Sequence, residues 1–586
     1  MCGIVGYRGI KHNAVDVLLK GLSNLEYRGY DSAGIAYSYN DKIKITKSVG
    51  KIANLNKIVK HTDLSSLGIG HTRWATHGGV NETNSHPHHV GKFTIVHNGI
   101  IENYEEIKSK LIKDGYKFNT ETDTEVACAL IDSLYKKLNS VESAINEAMK
   151  IIKGSYAFGI LKEDDDKLYI AKNKSPLIIG VGDNEYFIAS DVPAILEYTD
   201  KYITLNDQEY GVISNDIKIY DIDKNEVKWA LKTFEGDNLV IGKAGYDYFM
   251  EKEMFEQPEI FKRNIKYYLK EHFDYLPDLS KYKNIDIVAC GSAYHAGLVG
   301  KSLIEEYAKK RVNVEIASEY RYSDLEIEKD TLLIAISQSG ETADTLAALE
   351  KAKESGAYTL AIVNVKDSSI ARAADKVLYT NAGSEIAVAT TKAYSAQVTL
   401  LSLIALKLSN LNIDDVLKQA KKVPSLMEEV LNYDYVKIAK KIHKQNDIYF
   451  LGRKVDYMIA LEASLKLKEI SYIHSEAYAA GELKHGTISL IEKNTPVVSI
   501  LTKEDIILKT LSNIKETKAR GAYTVIIKSS DIETFADYEI KIPSTIDLFM
   551  PLIAIIPLQR IAFEVAKMRG CDIDMPKNLA KSVTVE

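Results

Sequence analysis

The chain has 586 residues, which is long enough for about three or four domains that each bury a core of their own. Its 75 Lys and Arg residues against 81 Asp and Glu residues give a formal net charge of −6. The absence of a basic excess excludes a protein built to bind the phosphate backbone of nucleic acids. The four cysteines share no CxxC spacing and are too few for a disulfide-stapled secreted scaffold, so we expect a cytoplasmic protein.

The sequence also argues against a membrane protein. The longest apolar run, from Leu548 to Leu558, holds two prolines and is shorter than the roughly 20 residues that a membrane-crossing helix requires. We predict that this run is buried core. No basic segment followed by an apolar stretch opens the chain, so we expect neither a secretory signal nor a membrane anchor.

The first part of the chain, to about residue 230, alternates short apolar runs with turn signals, and helical periodicity is concentrated at 102–152. This pattern predicts strands layered with helices. A stretch rich in glycine and charge, at 232–253, then interrupts the periodicity. We place the first domain boundary near residue 240 and predict a first domain over residues 1–240.

Beyond that boundary, strand-like and helical segments alternate, as in doubly wound parallel sheets. The segment ESGAYTLAIV around Gly356 is similar to ARGAYTVIIK around Gly521, which lies 165 positions later. This similarity indicates a duplication. We therefore predict an α/β multidomain chain, with a linker and first parallel-sheet domain over 241–424 and a second one over 425–586.

One loop of the first copy has the residues of an anion site. In SQSGET, at 337–342, hydroxyl side chains follow a strand-like segment and precede a helical one, so that hydroxyls and N–H groups converge at a helix N-terminus, which suits a phosphate. The same residue types are ordinary helix caps, and the six residues alone leave both interpretations open. The second copy has TKEDII at the corresponding offset, so we expect one such site per chain.

Cys2 directly follows the initiator methionine, and removal of Met1 would give this residue both a thiol and a free α-amine. A thiol that splits an amide needs a base, donors for the oxyanion and a clamp for the substrate. Four residues could fill these roles: Arg73 for a carboxylate, Asn98 and Gly99 as N–H donors, and Asp123 for an ammonium group. A cysteine in an apolar strand is more often a packing residue, so Cys2 alone would not establish catalysis.

The histidines raise the alternative of a zinc site, because six of the 13 lie between His71 and His97. No HExxH motif or ladder of Cys and His ligands accompanies them. We therefore expect no metal and no cofactor.

Five motifs in order, MCGIVG, EYRGYDSAG, HTRWATHG, HNGIIENY and TDTE, resemble the N-terminal-nucleophile glutamine amidotransferases. The resemblance implies an αββα sandwich in which Cys2 attacks the glutamine amide, its own α-amine acts as base, and Asn98 and Gly99 form the oxyanion hole. It also implies that Trp74 gates a passage for ammonia. The residues that would hold glutamine are Arg73, Thr76, His77 and Asp123.

The region around SQSGET resembles sugar isomerase (SIS) domains. Through EIASEYRY, NAGSEIAVATTKAY, LEASLKLKEISYIHSEAYAAGELKHG and NLAKSVTVE, the whole chain resembles the isomerising glutamine–fructose-6-phosphate aminotransferases. This resemblance implies two SIS domains and the transfer of nitrogen from L-glutamine to fructose 6-phosphate, which gives glucosamine 6-phosphate for hexosamine biosynthesis. It also implies a homodimer with a shared sugar site.

The same resemblance assigns roles in the sugar chemistry. Lys581 would form a Schiff base with the sugar, Glu469 would move the proton between C1 and C2, and His485 would open the sugar ring in the partner subunit's site. The remaining residues of the sugar site would be Ser337, Gln338, Ser339, Thr342, Val388, Thr390, Lys466 and Ala580.

Two of the segments that carry these residues have a plainer interpretation. Their spacing puts Glu462, Lys466 and Glu469 on one helix face, but such spacing alone is more typical of a solvated amphipathic helix. A lysine close to a chain end, such as Lys581, is likewise more often solvated. Only the resemblance favours catalytic roles here.

Two other functions compete with this interpretation. One is an amidotransferase of the same class with a different acceptor, but the pyrophosphate-binding or ATP-binding loop that such enzymes need is not found in the sequence. The other is a non-catalytic SIS-domain sensor of sugar phosphates. The motif set around Cys2 and the presence of Lys581 argue against a sensor.

Overall fold

The computed structural model describes residues 2–40, 42–75, 77–234, 242–324 and 326–584. The chain divides into two units, one of residues 1–238 with 582–586 and one of residues 239–581. The domain boundary predicted near residue 240 and the predicted glutamine contact Thr76 both lie outside the described residues.

The first unit consists of two antiparallel sheets and their covering helices. Its strands are β1 (Gly3–Gly9), β2 (Ser32–Tyr39), β3 (Lys42–Val49), β4 (Leu67–Arg73), β5 (His88–Val90), β6 (Phe93–Ile101), β7 (Gly154–Lys162), β8 (Leu168–Asn173), β9 (Ile178–Val181), β10 (Glu185–Ala189), β11 (Lys201–Thr204), β12 (Glu209–Ile213), β13 (Ile217–Asp221) and β14 (Lys232–Thr233). Its helices are α1 (Ala14–Asn24), α2 (Ile52–Ile58), α3 (Tyr104–Lys113), α4 (Asp123–Leu138) and α5 (Val141–Ile151). The strand orders are β14-β11-β9-β10-β1-β4-β2-β3 and β13-β12-β8-β7-β6-β5.

These elements form four layers, because alternate side chains of a strand face opposite sides of its sheet. In β1, Val5 packs on the α1 side with Leu18, whereas Ile4 packs between the two sheets with Val96. Helices α3, α4 and α5 cover the outer face of the second sheet. The predicted αββα sandwich is therefore confirmed, as is the helical region predicted at 102–152.

The second unit contains two parallel sheets with helices between their strands. Its strands are β15 (Asn284–Ala289), β16 (Asn313–Ile316), β17 (Thr331–Ser337), β18 (Tyr358–Val363), β19 (Lys376–Tyr379), β20 (Asp447–Gly452), β21 (His474–Ala479), β22 (Pro496–Leu501), β23 (Tyr523–Lys528) and β24 (Tyr538–Lys541). Its α-helices are α6 (Phe249–Asn264), α7 (Gly291–Leu303), α8 (Ala317–Tyr320), α9 (Ala343–Glu354), α10 (Ser369–Ala373), α11 (Lys392–Lys407), α12 (Ile413–Ala420), α13 (Val423–Leu431), α14 (Val436–Ile442), α15 (Val455–Ser471), α16 (Ile507–Lys518) and α17 (Met550–Met568).

The two parallel sheets have the same topology. Their strand orders are β16-β15-β17-β18-β19 and β21-β20-β22-β23-β24, so the similar segments in β18 and β23 occupy the same place in each sheet. The inner strands of the first sheet face two cores, as Ile287 and Val288 in β15 show by packing into different clusters. The predicted duplication and the doubly wound parallel sheets are confirmed.

The apolar run from Leu548 to Leu558 leads into and forms the first half of α17, and its side chains are buried in the larger core of the second unit. This confirms the prediction of buried core. Within the described ranges, no helix has both the length and the apolar character needed to span a membrane.

Candidate active sites

The first candidate site forms around Cys2, which lies immediately before β1, next to Trp74 at the end of β4. The Cys2 thiol lies 3.5 Å from the carbonyl oxygen of Trp74, to which it can donate, and its Sγ accepts a hydrogen bond of 3.3 Å from the Trp74 N–H. Burial raises the pKa of the thiol. Because the thiol is protonated at neutral pH, it needs a base before it can act as a nucleophile.

A small pocket opens beside this thiol. Its walls bring together residues that the sequence places far apart: Cys2, Arg73, Trp74, His77, Gly99 and Asp123, together with His86, His97, Thr122 and Thr124. Six of these ten residues were predicted as site residues, so most of the predicted glutamine site converges in this pocket.

Asn98 contacts the pocket residue Cys2 through an amide whose orientation is fixed. Its Nδ2 donates a hydrogen bond of 2.9 Å to the carbonyl oxygen of Cys2. Its Oδ1 lies 3.1 Å from Nε2 of His71, and that nitrogen also lies 2.9 Å from the carbonyl oxygen of His97. Since both partners are oxygen acceptors, Nε2 carries the proton and the amide oxygen of Asn98 points towards it.

The backbone conformation and the close approach of strand β7 require glycine at position 99. Its φ is +133°, and a Cβ at this position would lie 2.0 Å from the carbonyl oxygen of Ser155 on the paired strand β7. Only glycine fits there. Glycine therefore allows β6 to follow β7 closely at the end that carries Asn98.

Charged side chains of both signs line the pocket. The Arg73 guanidinium donates to the carbonyl oxygens of residues 77–79, at 3.2 Å for both Gly78 and Gly79. The Asp123 carboxylate, at the start of α4, accepts a hydrogen bond of 2.9 Å from the N–H of Ile101. These bonds fix a cation and an anion in one pocket, a charge pattern complementary to the carboxylate and ammonium groups of an amino acid.

The cluster of histidines includes His86 and His97 of the pocket wall together with the buried His71 and His88. The rings of His71 and His86 stack at 4.1 Å, and those of His86 and His88 meet edge to face at 4.8 Å. Burial lowers the pKa of His71 to about 3 and lowers those of His86 and His88, so the rings are neutral at neutral pH. Among the residues that the structure describes, no group of three or more His, Cys, Asp and Glu side chains is arranged to hold a metal ion.

The second candidate site begins with the loop between β17 and α9, at the carboxyl ends of the first parallel sheet. The hydroxyl groups of Ser337 and Thr342 lie 2.9 Å apart, and Ser337 Oγ accepts a hydrogen bond of 3.0 Å from the N–H of Gly340. Ser339 Oγ accepts from the N–H of Glu341, and the carbonyl of Gln338 accepts from Asn364. The predicted convergence of hydroxyl groups at a helix N-terminus is confirmed.

Lys581 is buried, so the interpretation of a solvated terminal lysine is wrong. Its side chain is 3% exposed, and its Nζ donates to Glu385 Oε2 at 2.5 Å and to Thr390 Oγ1 at 3.1 Å. The N–H of Val388 donates a hydrogen bond of 2.9 Å to the carbonyl oxygen of Asp574, which ties this loop to the segment that leads to Lys581. Ala580, next in the chain to Lys581, is half-buried.

The solvated interpretation of α15 is also wrong. The side chains of Glu462 and Lys466 are 0% and 1% exposed, because this helix packs against α7 and α17. Lys466 pairs with Glu469 and lies 3.5 Å from Glu462. Burial raises the pKa of Glu469, which favours a carboxyl group able to carry a proton near neutral pH.

His485 is the one predicted catalytic residue of the second unit that stands apart. It is exposed on a short 3₁₀ helix, Leu483–His485. Within the described part of the chain, no hydrogen bond or ion pair joins it to Lys581 or Glu469. Its role in the partner subunit's site stays a prediction.

Sequence reasoning missed several residues that support these sites. Glu385 lies in a quoted motif, five positions before Thr390, but its pairing with Lys581 has no local signal. His71 was noted only for a zinc site, although it orients Asn98. His295 of α7 contacts Glu462 at 2.8 Å, which no periodicity could indicate because the two residues belong to different sheet domains.

Comparison with known proteins agrees with this architecture. The family described as "Glutamine amidotransferase domain" matches residues 71–197, and the family described as "SIS domain" matches 278–407 and 441–568. Among solved structures, the C-terminal domain of glucosamine-fructose-6-phosphate aminotransferase from Francisella tularensis is similar with a TM-score of 0.53 and 38% identity. That match covers 57% of this chain and 100% of that domain.

Similar proteins extend over the entire chain. Isomerizing glutamine–fructose-6-phosphate aminotransferases are 47% identical in Clostridium tetani, 45% in Thermococcus kodakarensis and 42% in Thermus thermophilus, each with 100% coverage of both chains. This identity spans the amidotransferase region and both SIS regions. The chain belongs to the family of isomerizing glutamine–fructose-6-phosphate aminotransferases.

Proposed function

We propose that the protein transfers the amide nitrogen of L-glutamine to fructose 6-phosphate and isomerises the product to glucosamine 6-phosphate, releasing glutamate. Membership of the family over the full length supports this activity. The observation that carries it is the buried amine of Lys581, which is held by Glu385 and Thr390 in the unit that also contains the Ser337–Thr342 loop. A buried, fixed amine is suited to Schiff-base chemistry with a ketose.

The first unit supplies the nitrogen. After removal of Met1, the α-amine of Cys2 takes the thiol proton, and the thiolate attacks the glutamine amide. The Nδ2 of Asn98 and the N–H of Gly99 stabilise the oxyanion. Arg73 and Asp123, with Thr76 and His77, hold the carboxylate and ammonium groups of glutamine, and Trp74 gates the departure of ammonia.

The second unit carries out the sugar chemistry. Lys581 adds to the C2 carbonyl and water leaves, which forms the imine, and ammonia then displaces the lysine amine. Glu469, paired with Lys466, removes a proton from C1 and delivers it to C2. His485 of the partner subunit opens the sugar ring. Ser337, Gln338, Ser339 and Thr342 hold the sugar phosphate, and Val388, Thr390 and Ala580 lie near the substrate.

The second sheet domain supports the expectation of one phosphate site per chain. There the loop after β22 is already engaged by a protein carboxylate, since Asp456 accepts from the hydroxyl of Thr502 and, at 2.9 Å, from its N–H. Lys503, the next residue, pairs with Glu306 and Asp547. In the second copy the Asp456 carboxylate therefore accepts from the kind of donor groups that the first copy offers to a ligand.

The same proposal includes the organisation of the molecule. Residues 1–240 form the glutaminase domain, 241–424 the linker and first SIS domain, and 425–586 the second SIS domain with the catalytic tail. The protein acts in the cytoplasm. It is a homodimer, because His485 serves the partner subunit's site.

The decisive experiment measures glucosamine 6-phosphate formation by wild type, Cys2→Ala and Lys581→Ala, with glutamine or with ammonium chloride as nitrogen source. Cys2→Ala should lose the reaction with glutamine and retain it with ammonium, whereas Lys581→Ala should lose both and still hydrolyse glutamine. Glutamine hydrolysis by wild type without any amino sugar would contradict the proposal and would favour an amidotransferase with another acceptor.

A further inference from the structure

The buried carboxylate of Glu385 is the direct partner of Lys581. Its Oε2 accepts the hydrogen bond of 2.5 Å from Nζ, and its Oε1 accepts the N–H groups of Thr391 at 3.0 Å and Ala393 at 3.1 Å. The side chain is 0% exposed. Burial alone would raise the pKa of Glu385, but the charges of Lys581 and Lys392 hold it below its ordinary value. Glu385 is therefore ionised at neutral pH.

A second buried carboxyl group, that of Glu253 on α6, holds the same loop. Its Oε1 accepts the N–H groups of Ile386 and Ala387, and its Oε2 has no hydrogen-bond partner among the residues that the structure describes. Burial and the nearby charge of Glu385 raise the pKa of Glu253 to about 8. Glu253 therefore keeps a proton at neutral pH, while Glu385 carries the negative charge.

Other charged groups surround this pair. Glu256 lies on α6 and Lys392 on α11. Lys466 and Glu469 both lie on α15. Glu256 and Lys392 form an ion pair at 2.5 Å. Lys466 pairs with Glu469 and also lies 3.5 Å from Glu462, so its positive charge is compensated within α15. Glu385 remains as the carboxylate in direct contact with Lys581.

We propose that Glu385 is the counter-ion that holds Nζ of Lys581 in its positively charged form, first as the ammonium group and then as the protonated imine of the sugar, and that Glu253 is uncharged beside it at neutral pH. The inference rests on the proposed function, because it assumes that Lys581 reacts with the sugar carbonyl. Neither glutamate has a role in the sugar chemistry described above.

The step balances without any further reactant. The ammonium group passes a proton to Glu385 Oε2, to which it is hydrogen-bonded, and the free amine bonds to C2 of the sugar. The carbonyl oxygen takes one proton from the nitrogen and one back from Glu385 and leaves as water, and the nitrogen keeps one proton. One positive charge is therefore present opposite Glu385 before and after the step, which is the arrangement that a fixed carboxylate stabilises.

The test is the pH profile of borohydride trapping with fructose 6-phosphate, without glutamine, in the full-length protein, with the adduct located on Lys581 by mass spectrometry. Imine formation needs the free amine of Lys581, and reduction needs the protonated imine. The low-pH limb and the high-pH limb of the profile therefore both report the positive charge on Nζ. In Glu385→Gln, both limbs should move to lower pH by about one unit or more. Glu385→Asp keeps the negative charge, so both limbs should stay at the wild-type pH while trapping becomes slower.

Controls separate charge from packing. Thr390→Val removes the other hydrogen bond of Nζ without a change of charge, so it should slow trapping and leave the limbs in place. Equal profiles for Glu385→Gln and Thr390→Val would overturn the inference. Absence of an adduct at Lys581 in wild type would instead contradict the proposed role of Lys581 itself.

A second variant tests the inference if Glu385→Gln fails to fold, which circular dichroism would show. Glu253→Gln keeps an uncharged group at position 253, so its profile should match wild type below pH 8. Above about pH 8 wild type gains a second carboxylate near Nζ, so its upper limb should extend to higher pH than that of Glu253→Gln. Coincident upper limbs would overturn the inference.

Discussion

His71 Nε2 lies 3.1 Å from Asn98 Oδ1, and this hydrogen bond determines which side of the Asn98 amide faces Cys2. The ring can do this at every working pH, because burial lowers the pKa of His71 to about 3. His71 thus acts on the proposed oxyanion hole through Asn98, as a positioning residue. The glutaminase site is preorganised by a residue that does not touch the substrate.

Replacement of Asn98 by Ala should lower kcat for glutamine hydrolysis by about 10²- to 10³-fold, because one donor to the oxyanion is lost. His71→Leu should cause a smaller loss, since the amide is present but no longer oriented. The measurement is glutamate release at saturating glutamine. Amino sugar formation from ammonium should be unchanged in both variants, and an equal loss with both nitrogen sources would show that the whole protein, rather than the oxyanion hole, was damaged.

The buried histidines should make the first unit sensitive to acid. In the folded state the pKa values of His71, His86 and His88 lie below the ordinary value, so below about pH 6.5 the unfolded chain binds more protons than the folded one. Stability should therefore fall as pH decreases from about 6.5, by up to about 1.4 kcal/mol per pH unit for each histidine. Both tryptophans of the chain, Trp74 and Trp229, belong to this unit, so urea unfolding followed by tryptophan fluorescence measures it.

A matched pair of variants tests the cause of this slope. His86→Gln removes one buried histidine and should reduce the dependence of the unfolding free energy on pH between 5.5 and about 6.5. His89→Gln changes an exposed histidine of β5 and should leave it unchanged. If the slope were the same in both variants, another group would be responsible for acid sensitivity.

Replacement of Gly99 by Ala should destabilise the first unit by at least about 3 kcal/mol, because β6 and β7 must separate to accommodate a Cβ 2.0 Å from Ser155 O. Glutamine hydrolysis should be lost with it. The control is Gly115→Ala: Gly115 also has a positive φ, of +93°, but a Cβ there would meet nothing within 4 Å. This control should cost about 1 kcal/mol, the price of the backbone conformation alone. Equal costs for both variants would show that the close approach of the strands is not what requires glycine.

The fold could be predicted because its signals are local. Alternation in the strands, helical periodicity between them and the repeat at Gly356 and Gly521 each depend on neighbouring residues, and the loop at Ser337 is defined by the strand before it and the helix after it. The pairing of Lys581 with Glu385 was not predictable in this way. It joins residues 196 positions apart, and its meaning depends on burial, which the sequence near a chain end does not show.

The same limit explains the wrong interpretation of α15. Spacing placed Glu462, Lys466 and Glu469 on one face correctly, but spacing cannot say whether that face meets water or protein. Packing against α7 and α17 decides it. For buried charges the sequence therefore indicates which residues share a face, and only tertiary structure shows their environment.

The loops after β17 and β22 offer a final prediction, because they occupy the same place in the two copies. Ser337→Ala should raise KM for fructose 6-phosphate about tenfold or more, since a hydrogen bond to a charged group contributes about 1.5–3 kcal/mol. Thr502→Val removes the hydroxyl that donates to Asp456 in the second copy, so it should lower the unfolding temperature and leave KM unchanged. Steady-state kinetics with ammonium as nitrogen source isolates the sugar site from the glutaminase. A similar rise of KM in both variants would contradict a single phosphate site in the first copy.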